Sequence, residues 1–91
     1  MMRDRIVVAK EWDWSIGIYE GVSPYELSSL KDVRNPILCA RDVTDVKAGS
    51  IADPFMIRDN SKWYMFFEVI NELTNRGEIG LATSDDGVCW R

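Results

Sequence analysis

Apolar and polar positions along this chain group into short runs with turn residues between them. Asp53-Pro54-Phe55-Met56-Ile57-Arg58 is followed by the turn Asp59-Asn60-Ser61 and then by Lys62-Trp63-Tyr64-Met65-Phe66-Phe67-Glu68-Val69. A polar loop over 71–77 leads to Glu78-Ile79-Gly80-Leu81-Ala82-Thr83-Ser84, the turn Asp85-Asp86-Gly87 and a stub over 88–91. Runs rich in aromatic and β-branched residues, bounded by Asn, Asp, Ser and Gly, predict strands joined by tight turns. The expectation is one antiparallel sheet with strands at 53–58, 62–69, 78–84 and 88–91.

The first half is less regular. Arg5-Ile6-Val7-Val8-Ala9-Lys10 reads as a strand, and so does 14–20, closed by Gly21 and Ser23-Pro24. Residues 25–30 fit a short strand or a single helical turn. Asn35 to Ala40 reads as a short strand opened by Pro36, a position that suits an edge. Residues 41–51 lack a period and read as a connection. Ile16-Gly17-Ile18 and Ile79-Gly80-Leu81 form a weak internal repeat. The predicted fold is all-β and antiparallel, one small domain over 1–91. Residues 1–40 are expected to form part of a sheet unit, 41–51 a connection and 52–91 a complete four-stranded unit.

Side chains alternate across a strand, so Trp63, Met65 and Phe67 share one face of 62–69 while Tyr64 and Phe66 share the other. Both faces are apolar, which predicts cover on both sides. The blades of a β-propeller achieve this, because each sheet lies between two neighbours. The chain has room for about one and a half such blades, hence not for a closed propeller.

Size sharpens this picture. A chain of 91 residues hides only roughly 60–65% of its unfolded surface, so its own core is marginal. A hydrophobic fraction of 46% with four Trp is rich for that length. The expectation is a homo-oligomer that covers the surplus apolar surface. The net charge of −4 argues against a nucleic-acid partner, which would want a basic stripe. No run approaches the ~20 apolar residues of a membrane helix, and Arg3-Asp4-Arg5 opens no signal peptide. A cytoplasmic location and no membrane partner follow by default.

Cys39 and Cys89 lack metal-ligand spacing and are expected as two buried free thiols. With no histidine, a Ser-His-Asp triad, a Cys-His pair and His-ligated zinc are excluded. Acid–base chemistry would fall to carboxylates, Lys, Tyr or Cys. No metal and no cofactor are expected.

Ala52-Asp53-Pro54-Phe55, Trp63-Tyr64-Met65-Phe66-Phe67-Glu68 and Gly77-Glu78-Ile79-Gly80-Leu81-Ala82-Thr83-Ser84-Asp85-Asp86-Gly87 with Trp90 resemble blade motifs of five-bladed propeller glycosidases of the arabinanase, β-xylosidase, levansucrase and invertase type. The resemblance is clear over 51–91 and faint over 6–40. It implies an innermost strand facing a tunnel, where acids from three blades do the chemistry, and it matches Asp53 to an axial acid. One chain supplies one such strand, so the full catalytic set would need several chains.

Two catalytic candidates follow, Asp53 and Glu68. Asp53 equally fits a turn cap, a common role for Asp before Pro. Glu68 shares a face with Tyr64 and Phe66, where aromatics could raise a carboxyl's pKa, and equally fits a strand-end charge in water. Trp12, Trp14 and Tyr64 are the substrate-binding candidates, as platforms for a sugar ring, with packing as the alternative for the two Trp. Asp85-Asp86-Gly87 reads as a turn rather than a calcium loop. The functional expectation is a non-catalytic, self-associating module derived from a carbohydrate-active propeller. The alternative is a glycoside hydrolase-like or carbohydrate-binding protein with carboxylates assembled across an oligomer.

Overall fold

The computed structural model describes residues 14–91. The strand expected at 5–10 and the candidate Trp12 lie outside the described residues. The rest is all-β and antiparallel as expected, with a single 3-10 turn at Ala40–Asp42. Strands β1 (Tyr19–Gly21) and β2 (Leu27–Ser29) form a two-stranded sheet. Strands β3 (Ala48–Asp59), β4 (Lys62–Asn71) and β5 (Arg76–Ser84) form a three-stranded meander in that order.

Turn chemistry sets the meander's register. Asn60 and Ser61 both take positive φ, 50° and 65°, the backbone a two-residue hairpin requires if its twist is to match the strands. Asp59 therefore pairs with Lys62, Arg58 with Trp63 and Ile57 with Tyr64. The β4–β5 loop closes on Asn71, whose side-chain oxygen accepts from the Leu73 N–H at 2.9 Å while its carbonyl accepts from the Asn75 N–H at 2.7 Å. Asn75 at φ 56° completes the reversal.

The fourth strand expected at 88–91 is replaced by a side-chain-capped turn. Ser84 Oγ accepts from the Gly87 N–H at 2.8 Å, and the Asp86 carboxylate accepts from the Val88 and Cys89 N–H groups at 2.9 Å each. A short acceptor side chain here competes with the ladder for its donors. Only Arg91 returns to pair with Thr83. The first-half strands are also shorter than expected: 14–20 contributes the bridge Ile16 to Leu38 and the start of β1, and 35–40 contributes only that bridge.

The Cys89 and Val88 amides, then the Ser84 hydroxyl, hold the Asp86 carboxyl below the usual carboxylate range. A carboxyl depressed in the folded state adds stability above its unfolded pKa, and this is lost as pH falls through the lowered value. The C-terminal turn is therefore expected to loosen only in acid below the ordinary Asp range. Trp90, whose indole N–H donates to the Gly87 carbonyl at 3.0 Å, reports this by fluorescence. Asp86→Asn should remove the acid step, and an unchanged titration would refute the cause given.

Trp63, Met65, Phe67, Val69 and Asn71 share one face of β4, with Ile51 of β3 and Ala82 of β5 beside them. Met65, Phe67, Val69, Ile51 and Ala82 are buried there under Ile16 and Leu38, with Ile37, Val43, Val46, Ala48 and Trp90 packed around them. At the hairpin end the Arg58 guanidinium lies 5.5 Å over the Trp63 ring. The chain thus covers one face. The other, carrying Ile57, Phe55, Tyr64, Phe66, Leu81 and Ile79, stays largely open, so cover on both sides of β4 is not achieved within the chain. The molecule is elongated, with a radius of gyration of 16.0 Å, against about 12 Å for a compact chain of this length.

Both cysteines are free, but Cys89 is exposed and Cys39 half-buried. Neither is the buried thiol expected from sequence. Each sits beside a capped turn at the surface rather than in the sheet core.

Candidate functional site

A concavity of about 900 Å³ opens where the uncovered face of the sheet meets the start of β3. Its walls include Trp14, Ser50, Asp53, Glu68, Glu72 and Asn75. Three of the sequence-predicted residues therefore meet in one place. Tyr64 does not join them: it lies four positions along β4 from Glu68, roughly 13 Å at strand rise.

A local irregularity delivers Asp53. Ala52 pairs with Glu68 and Phe55 with Phe66, so Asp53 and Pro54 on β3 together oppose the single residue Phe67. This is a β-bulge, which bends a strand and re-aims a side chain. Asp53 accommodates it at φ 54°, a left-handed conformation that Asp tolerates better than most residues. Pro54, with no N–H to donate, fits a bulge on an edge strand. Asp53 is thus neither a plain turn cap nor an ordinary strand residue.

Trp14 is fastened to the same strand. Its backbone N–H donates to the buried Ser50 Oγ at 2.8 Å, and its carbonyl accepts from the Ile51 N–H at 3.2 Å. The adjoining segment is clamped by Asn35, which accepts from the Ile18 N–H at 2.8 Å and donates to the Ile18 carbonyl at 2.9 Å. The Trp14 side chain remains mostly exposed. Glu72 flanks the cleft from the β4–β5 loop, 3.6 Å from Lys47 Nζ. A Cβ at Gly49 would come within 2.8 Å of the Glu72 side chain, so Gly49 permits this close approach.

Ser50, Glu72 and Asn75 were not singled out from sequence. Ser50 sits in a stretch with no period, and Glu72 and Asn75 sit in a polar loop, where solvated residues are the norm. Among the described residues the walls of the cleft carry three carboxylates, of which Glu72 is paired with Lys47, and no Lys or Arg. Its chemistry suits a ligand with an apolar face, hydroxyl donors and neutral or positive charge. Among the described residues no cluster of three or more Cys, Asp and Glu is placed to hold a metal ion.

Residues 7–91 match the family model described as "Glucosamine inositolphosphorylceramide transferase 1, N-terminal". The curated relatives carry the name glucosamine inositolphosphorylceramide transferase 1. The one from Arabidopsis thaliana is 32% identical over 95 residues, covering 88% of this chain and 12% of that protein. Those from the indica and japonica subspecies of Oryza sativa are each 35% identical over 95 residues, covering 88% of this chain and 13% of theirs. The chain thus spans about an eighth of the length of these relatives. No solved structure matches.

These matches overturn the resemblance to propeller glycosidases, and with it the module derived from a carbohydrate-active propeller and the glycoside hydrolase-like alternative. The strings that carried the resemblance encode a three-stranded meander with tight turns, a local pattern shared by many unrelated β-proteins. The cytoplasmic default falls as well, since the relatives are named for inositolphosphorylceramide, a membrane sphingolipid. That no described helix is long and apolar enough to cross a membrane does not place the protein. With the family model matched over nearly its whole length, this chain belongs to the glucosamine inositolphosphorylceramide transferase 1 N-terminal family.

Proposed function

We propose that the chain is the N-terminal part of a glycosyltransferase of the glucosamine inositolphosphorylceramide transferase kind, and that it contributes the recognition of an amino sugar. The observation that carries this reading is the meeting of Trp14 with Asp53, Glu68 and Glu72 around one cleft. An exposed indole offers a flat apolar platform for a sugar ring and favours a cation over its face. Carboxylates accept from hydroxyls and attract an ammonium group. The relatives' name contains glucosamine, a sugar with one basic amine. The same acidic lining disfavours an inositol phosphate, which would bring like charge to the carboxylates.

Calorimetric titration with glucosamine, glucose and inositol phosphate tests this. Glucosamine is expected to bind best, glucose more weakly and inositol phosphate not at all. A charge-assisted hydrogen bond contributes about 1.5–3 kcal/mol, so Asp53→Asn or Glu68→Gln should weaken glucosamine binding by roughly tenfold or more. Affinity should also fall as pH rises past about 8, where an amine weakened by electron-withdrawing neighbours, like an α-amino group, loses its proton. Equal binding of glucose and glucosamine, or preference for inositol phosphate, would overturn the reading.

A further inference from the structure

The open face of the meander has its own logic, although it shares Glu68 with the cleft. Three cross-strand rows run over it: Ile57, Tyr64 and Thr83; Phe55, Phe66 and Leu81; Ala52, Glu68 and Ile79. Phe55 is 65% exposed, Ile57 43%, Phe66 39%, Ile79 76% and Leu81 55%. With a Phe presenting of the order of 200 Å², these five leave roughly 500 Å² of contiguous apolar surface in water. That is at the upper end for a monomer. Doubled across two copies it reaches about 1,000 Å², the area at which specific interfaces begin.

The charges on the face are ordered as well. Along β4 the open face reads Lys62, Tyr64, Phe66, Glu68, Ile70, a cation at one end, an anion near the other and aromatics between. A two-fold axis lying in the plane of the contact and crossing the strands between Tyr64 and Phe66 reverses this order in the second copy. Lys62 of one copy then faces Glu68 of the other, Tyr64 faces Phe66, and on β3 Ile57 faces Phe55. Asp59, beside Lys62, faces Ala52. The two central rows meet apolar to apolar and Lys62 meets Glu68, the self-complementary arrangement an isologous contact requires.

We propose that this face is the interface of a homodimer in which two meanders pack with their β4 strands antiparallel, about 10 Å apart as stacked sheets pack. Glu68 also lines the cleft, so the second copy closes the side of the cleft that the sheet face leaves open. Lys62 of one copy thereby sets the charge at the rim of the other's cleft.

Sedimentation velocity at micromolar concentration tests the proposal. The unaltered chain should sediment as a dimer. Leu81→Glu and Phe55→Ser alter side chains already more than half exposed, so the fold should survive, as far-UV circular dichroism would verify. Each should weaken the dimer at least tenfold. Lys62→Glu and Glu68→Lys should each weaken it too, and the doubly exchanged variant should recover much of the loss. A monomeric unaltered chain overturns the proposal and assigns the face to a different partner or to another segment of a longer polypeptide. A dimer indifferent to Leu81→Glu, or a double exchange no better than the single ones, overturns it also. The readout is mass rather than sugar binding, so this result and the calorimetric one stand or fall separately.

Discussion

Phe67→Ala is expected to leave the chain largely unfolded at room temperature. Phe67 stands at the centre of the middle strand, on the face where Met65, Val69, Ile51 and Ala82 are buried with it. Truncating a buried Phe costs about 3–5 kcal/mol, from lost burial and from the cavity left behind. A domain of this size has a total stability at the low end of roughly 5–15 kcal/mol, and this one buries a single sheet face. The loss is therefore comparable to the whole. Urea denaturation followed by tryptophan fluorescence checks it, with Phe67→Leu as the milder control that keeps most of the volume. A Phe67→Ala midpoint equal to that of the unaltered chain would mean the sheet is held by something other than this core.

Gly80→Val should be nearly as damaging, for the opposite reason. Gly80 pairs directly with Phe67 across the β4–β5 ladder, and the Phe67 ring lies over it. A Cβ at Gly80 would come within 2.8 Å of two Phe67 ring carbons and 2.9 Å of Val69 Cγ2. The ring is buried within the core cluster, so it can yield only by disturbing the packing there. Overpacking a core costs about 1–3 kcal/mol even for one added carbon, and valine adds three. Valine also gains at most about 1 kcal/mol of strand propensity, so the clash wins. Gly80→Ala should show the smaller loss. Combining it with Phe67→Leu should cost less than the sum of the two single changes, because the shorter side chain frees the space. Additive losses would show that the two residues do not meet.

Much of the sheet was legible because its signals are local. Asn60 and Ser61 mark a two-residue reversal with their own conformational preferences, and the alternation along Lys62–Val69 states which side chains share a face. These facts need only neighbours in sequence. The C-terminal stub misled for an equally local reason: Val88-Cys89-Trp90 has strand composition, but Asp86 captures the amides a ladder would need.

The candidate site was legible only in part. Asp53 was singled out by its match to an axial acid in the propeller resemblance and Glu68 by the aromatics on its face, and the structure sets both with Trp14 around one cleft. Ser50, Glu72 and Asn75 gave no signal, because their approach depends on the loop closed by Asn71 and on the space left by Gly49. The family was read wrongly at this stage, since blade-like strings describe how a meander is built and not which lineage built it.

By itself the chain determined its strand class, its hairpin reversals and the two faces of β4, because side-chain alternation and turn conformation are properties of a few adjacent residues. Only the tertiary structure decided which face is buried. Both faces are apolar, and the choice rests on where Ile16, Leu38 and Trp90 come to lie. It also decided why Gly80 is glycine, since the reason is a ring on the neighbouring strand. The one-residue bulge that turns Asp53 toward the cleft is likewise a matter of register between β3 and β4, and register is set by partners that no single strand contains.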